Sequence, residues 1–89
     1  AGTPLTRPGR AGLLRNCCVA AGNLRLEAAV PALAGCLRED PSPLVRGHAA
    51  WALGEIGGAE RELSEAARRE ADPWCRREIE LALARAGVG

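Results

Sequence analysis

No methionine, lysine, tyrosine or phenylalanine occurs in this chain of 89 residues, and its only aromatic residues are Trp51 and Trp74. A core has to be assembled from Leu, Val, Ala and Cys, and it is thin, because a chain this short buries only about 60% of the surface its unfolded form exposes. Two tryptophans are too few for the series of base-stacking platforms that single-stranded nucleic-acid binders present. No apolar run approaches the roughly 20 residues of a membrane-spanning helix. The N-terminal arginines are not followed by the apolar stretch of a signal peptide. A translated chain needs an initiator, so the missing methionine makes a fragment or processed piece the expectation. That all twelve basic residues are arginine reads first as genomic composition bias.

Charge is nearly balanced at +1 but unevenly spread. Residues 1–38 carry five arginines against Glu27 alone, a balance of +4, and residues 39–89 carry −3. A basic N-terminal part on a near-neutral chain fits an anionic partner at that end, and equally fits a solvated arginine tail.

What is present is a repeat. In LVRGHAAWALGEIG (residues 44–57), Val45, Ala49, Ala52, Leu53 and Ile56 recur at helical spacing and form one apolar face. Pro43 suits a first helical position, Ser42 an N-cap, and Gly57-Gly58 a stop. Its small alanines let a neighbouring helix approach closely, so this helix expects company on more than one side. Residues 13–22 match residues 45–54 at an offset of 32, pairing Ala20 with Ala52 and Gly22 with Gly54. Asp72, Pro73 and Arg76 match Ser42, Pro43 and Arg46 at an offset of 30, and Leu33 corresponds to Leu63. A period near 30 with two helices per unit is the mark of an α-solenoid.

The expected architecture is all-α: five helices in antiparallel pairs, two and a half repeats, and no strand. Residues 1–12 read as an extended lead-in or linker, and residues 13–89 as the repeat domain. Second-type helices fall near residues 13–22, 44–57 and 73–86, and first-type helices near 27–38 and 59–71. Leu13, Cys17, Ala20 and Ala21 are expected to face inward on the first helix, and Trp74, Ile79, Ala82 and Leu83 on the last.

Four cysteines invite a metal or disulfide reading, but no Cys-x-x-Cys is present. Cys17 and Cys18 cannot point the same way on a helix. They align with Ala49 and Ala50, and Cys75 aligns with Val45, which favours small buried hydrophobes. His48 is the only histidine, and no Ser, Cys or acid is placed to make it catalytic. Its equivalents are Asn16 and Glu78, polar rim positions, so a surface contact is the expectation. Nothing in these residues makes the chain an enzyme by itself.

RAGLLRN (10–16), AGN (21–23), AVPAL (29–33), DPSPLVRGHAAWALG (40–54), DPW (72–74) and REIELAL (77–83) together resemble the C-terminal HEAT-like repeat domain of epoxyqueuosine reductase. The resemblance covers nearly the whole chain and is most specific over residues 44–54. Cys17, Cys18 and Ala21 depart from it in small ways. It implies a cytoplasmic role in reducing epoxyqueuosine in tRNA to queuosine, with cobalamin and two 4Fe-4S clusters in the full-length enzyme. The Cys-x-x-Cys-x-x-Cys motifs for those clusters have no counterpart here. What remains for this chain is an accessory role, gripping the tRNA anticodon arm beside a catalytic domain. The candidate RNA-binding residues are Arg7, Arg10, Arg15, Arg46 and His48. A protein-interaction scaffold is the alternative, since solenoids commonly serve as one.

Overall fold

The structure, a computed structural model, describes residues 9–87. Five α-helices follow one another: α1 (Arg10–Leu24), α2 (Val30–Glu39, led by a 3-10 turn at Glu27–Ala29), α3 (Pro43–Ile56), α4 (Glu60–Arg69) and α5 (Pro73–Arg85). Among the described residues there is no strand, and the α-solenoid expectation holds.

Proline occupies one of the first two positions of α2, α3 and α5, where its missing N–H is not needed. Asp72 caps α5, its carboxylate accepting the Cys75 N–H at 2.8 Å. Ser42 stands at the N-cap of α3 but its hydroxyl makes no capping bond; instead its own N–H donates to Asp40 Oδ1 at 2.9 Å. In α4, Glu60 and Glu62 open the helix and Arg68 and Arg69 close it, matching the helix dipole at both ends.

The first helix departs from expectation in extent and in rotation. It begins at Arg10, inside the stretch expected to be extended, because Gly9 turns the chain at φ +89° and its carbonyl accepts the Leu13 N–H at 2.9 Å. It ends with a paired closure in which Leu26 N–H reaches Ala21 and Arg25 N–H reaches Gly22. Arg25 adopts the left-handed conformation there without being glycine. The buried residues are Cys18, Ala21 and Gly22, while Leu13, Cys17 and Ala20 are exposed.

The rotation of α1 follows from its neighbour. At Gly22 a Cβ would lie 3.0 Å from Ala52 Cα and 2.5 Å from the Trp51 ring, so α3 passes directly over that glycine. The contact recurs one repeat on. A Cβ at Gly54 would lie 2.9 Å from Ala82 Cα of α5. Thus α1, α3 and α5 form one layer, crossing through glycine on alanine, with α2 and α4 as the second. The body measures 45 × 28 × 17 Å, two helices thick in its shortest direction.

Helix α3 is the hub, packed against α1, α2 and α5. Val45, Ala49, Ala50, Ala52 and Leu53 are all fully buried, which bears out the expectation of company on several sides. By contrast α4 buries only Leu63 and Ala66 along its length. Trp74 is 41% exposed rather than buried, its ring lying over Gly47 at the surface. Truncating Leu53 to alanine is expected to cost about 2–5 kcal/mol, because the hub cannot collapse into the void without breaking the glycine contacts. Thermal melting of Leu53→Ala checks this, and a midpoint equal to the parent's contradicts it.

Candidate nucleic-acid interface

Five residues were expected to face an anionic partner, and the structure separates them. Arg7 lies outside the described residues. Arg10 and Arg46 turn inward. Arg15 and His48 remain on the face of the second-type helices.

Arg10 reaches across from α1 to Asp40 at the end of α2, with Nη1–Oδ1 at 3.3 Å and Nη2–Oδ2 at 2.5 Å. Arg46 of α3 holds Glu70 at the end of α4 through Nε and Nη2, both at 2.9 Å, and donates from Nη1 to the Asp40 carbonyl at 2.8 Å. The two acids stand 30 residues apart in sequence and do the same work. Each is the C-terminal cap position of a first-type helix, and each accepts the N–H of the residue two further on, Ser42 or Asp72. This double clasp fixes the loops into α3 and α5. A phosphate would have to displace a forked carboxylate to engage either arginine, so the pairing of Arg10 and Arg46 gives both a structural task within the fold.

Electrostatics agree with that assignment. The Arg46 guanidinium holds Glu70 from an ordinary 4.5 down to about 2, against the upward push of burial. Burial raises Asp40, but hydrogen bonds from Arg10 and the Ser42 N–H outweigh it, leaving a net lowering. A carboxylate with a depressed folded-state pKa contributes its full stability above its unfolded value and loses it as pH falls toward the folded one. Unfolding followed from pH 7 downward is therefore expected to show stability falling between about 4.5 and about 2. The fall should be shallower in Glu70→Gln; identical slopes would contradict the clasp.

Arg15 is half-buried and donates from Nε to its neighbour Asn16 at 3.3 Å, with no carboxylate partner among the described residues. His48 bonds the Leu44 carbonyl through Nδ1 at 2.8 Å. A carbonyl only accepts, so Nδ1 carries the proton and Nε2 is left free. The imidazole lies 5.4 Å from the Trp74 ring, tilted by 44°. Together with Val19, Asn23, Trp51 and Glu78 these rings line an open groove of about 300 Å³ crossing α1, α3 and α5. Trp51 packs against the core as well as lining this groove, whereas Trp74, expected to face inward, lies at the surface. The sequence signal for the groove was the repeat itself, which sets His48 and Glu78 at one register.

All four cysteines are free thiols. Cys18 and Cys75 are buried, Cys36 is half-buried, and Cys17 is exposed, contrary to the expectation of a buried alanine equivalent. Burial pushes the Cys18 thiol up to about 11 and, with Glu70 beside it, Cys75 to about 12. Neither is a nucleophile at neutral pH. Among the described residues no three His, Cys, Asp or Glu side chains are grouped so as to hold a metal ion. Alkylation of the native protein is expected to modify Cys17 first and Cys18 and Cys75 only on unfolding; early labelling of Cys75 would contradict the packing.

The family described as HEAT repeats matches residues 9–84. The chain is 41% identical over 66 residues to epoxyqueuosine reductase of Bacillus anthracis, covering 72% of this chain and 17% of that protein. It is 36% identical over 74 residues to that of Bacillus subtilis, covering 81% and 19%. It therefore spans about a fifth or less of the length of these curated relatives. Among solved structures it is similar to a crystal structure of epoxyqueuosine reductase with an epoxyqueuosine-modified tRNA-Tyr stem loop. That likeness has a TM-score of 0.80 and 35% identity over 82% of this chain and 20% of the other.

Proposed function

Because the chain belongs to the HEAT-repeat family, we propose that it serves as the accessory repeat domain of an epoxyqueuosine reductase, helping to hold a tRNA anticodon arm against a catalytic domain. The observation that carries this reading is the likeness to a reductase structure that contains a tRNA stem loop. The physical chemistry of the surface supports it. Arg15 and His48 sit on the layer of second-type helices, and Arg25 and Arg77 are exposed without a carboxylate partner among the described residues. Arginines of this kind displace counterions from a phosphate backbone and supply sequence-independent affinity.

In this reading the redox chemistry belongs to a catalytic domain, in the cytoplasm, and this chain's residues bind and orient. Arg10 and Arg46 contribute by fixing the helix ends that present the binding face, and direct phosphate contact falls to Arg15, with Arg7 eight residues earlier in the chain. No helix among the described residues is long and apolar enough to cross a membrane.

A second reading, a docking surface for protein, is favoured by Leu13 and Leu24, which are 64% and 68% exposed at the α1 end. Salt separates the two readings. Titrating a tRNA anticodon stem loop into the parent and Arg15→Ala at several salt concentrations is expected to show steep salt dependence. The variant should lose about 0.7–0.9 from the slope of log affinity against log salt. Salt-independent binding, or identical slopes, would leave the docking reading in front.

A further inference from the structure

We infer that the groove between Trp74, His48, Trp51 and Glu78 receives one unpaired RNA base, and that Glu78 selects guanine. The inference rests on the RNA-binding reading and deepens it by naming the surface and the nucleotide.

The groove has the size of a single small ligand. Its volume of about 300 Å³ lies at the lower end of the range for small-molecule sites, enough for one base and too little for a strand. It also has an aromatic floor. Trp74 lies over Gly47, which brings the indole down onto α3 while leaving 41% of the residue open, and the His48 ring leans toward it. Stacking on such a ring is favourable for any base. A lone platform of this kind could not grip a strand, but it could hold one base flipped out of a loop, as sequence-specific RNA recognition commonly requires.

Selectivity comes from the carboxylate. Glu78 makes no ion pair among the described residues, although it lines the groove. A carboxylate presents two acceptors side by side. Guanine alone among the four bases offers two adjacent donors to match, N1–H and the N2 amino group, on its Watson–Crick edge. Uracil offers one donor there, and adenine and cytosine one amino group next to an acceptor that the carboxylate repels. Asn23 on α1 and His48 Nε2 on α3 supply further polar contacts at the groove's other walls.

Phosphates would be repelled by Glu78 were it alone, but it is flanked. Arg77 shares the face of α5 with Trp74, three residues away, and Arg15 shares that of α1 with Val19, four residues away. Neither has a carboxylate partner among the described residues. The arrangement is an aromatic slot with an acid at its end and arginines at its margins. An arginine side chain of a protein partner could also stack on Trp74 and pair with Glu78, and the absence of any competing role for Arg15 and Arg77 in that case weighs against it.

The two tryptophans both line the groove, so native fluorescence reports on its occupancy directly. The test titrates three probes into the 89-residue chain: a uridine tetranucleotide carrying one guanosine, the all-uridine tetranucleotide, and an acetylated Gly-Arg-Gly peptide. The guanosine probe is expected to quench emission with about tenfold tighter affinity than all-uridine, the discrimination typical of one bidentate base contact. Glu78→Gln should abolish that preference while leaving the weaker stacking signal, and Trp74→Leu should remove the signal from both oligonucleotides. Circular dichroism confirms that each variant is folded, and Glu78→Gln removes only a charge. Equal affinity for the two oligonucleotides overturns the selectivity, and quenching by the arginine peptide alone overturns the base assignment. Salt-dependent binding of a stem loop that leaves emission unchanged overturns the groove but keeps the RNA-binding reading. Failure of all RNA to bind overturns both.

Discussion

A tight backbone approach sets everything else: glycine of one second-type helix against alanine of the next, Gly22 under Ala52 and Gly54 under Ala82. Any side chain at either glycine would push the helices apart, so the crossing distance is fixed by what is missing. Small residues at a helix crossing gain dispersion contacts along the whole approach, and each contact is weak but they are many. That is how a chain with two aromatic residues and a core of Leu, Ile, Val, Ala and Cys still closes into two layers. The same approach dictates which residues of α1 are buried, and it lays the second-type helices so close that a groove forms across three of them.

Fixing the helices sideways is not enough, because each repeat must also be held end to end. That falls to Asp40 and Glu70, each taking a backbone N–H from the following loop and an arginine from another helix. Arg46 joins the two stations, since it grips Glu70 and the Asp40 carbonyl together. A buried pair of this type is costly to break from one side, because the remaining charge is stranded. The arginines therefore divide by role: some lock the solenoid, and those left over on the surface are available to a polyanion.

The sequence disclosed the repeat and the helices because their signals are local. Pro43 and Pro73 mark starts, Gly57 and Gly58 a stop, and the match of Gly22 with Gly54 carries the crossing geometry itself. The rotation of α1 was not legible, since apolar residues lie all around it from Leu13 to Ala21 and periodicity singles out no face. Nor was the fate of Arg10 and Arg46. Their partners lie 30 and 24 residues away, and an arginine bound to an acid looks in sequence like one facing phosphate. Trp74 misled for a related reason: its helical position points inward by spacing, but Gly47 offers it a ledge at the surface instead of a place in the core.

These parts make one account, in which the first-type helices and their acids brace a layer of second-type helices whose outer face is the surface proposed to meet RNA. Amide chemical-shift mapping tests it most directly. Adding a tRNA anticodon stem loop to isotope-labelled protein is predicted to shift signals of Arg15, Asn23, His48, Trp51, Trp74 and Glu78, and to leave the outer face of α4, with Arg61, Arg68 and Arg69, unmoved. Shifts confined to α4 and α2 would contradict the account, because they would put the RNA on the bracing layer.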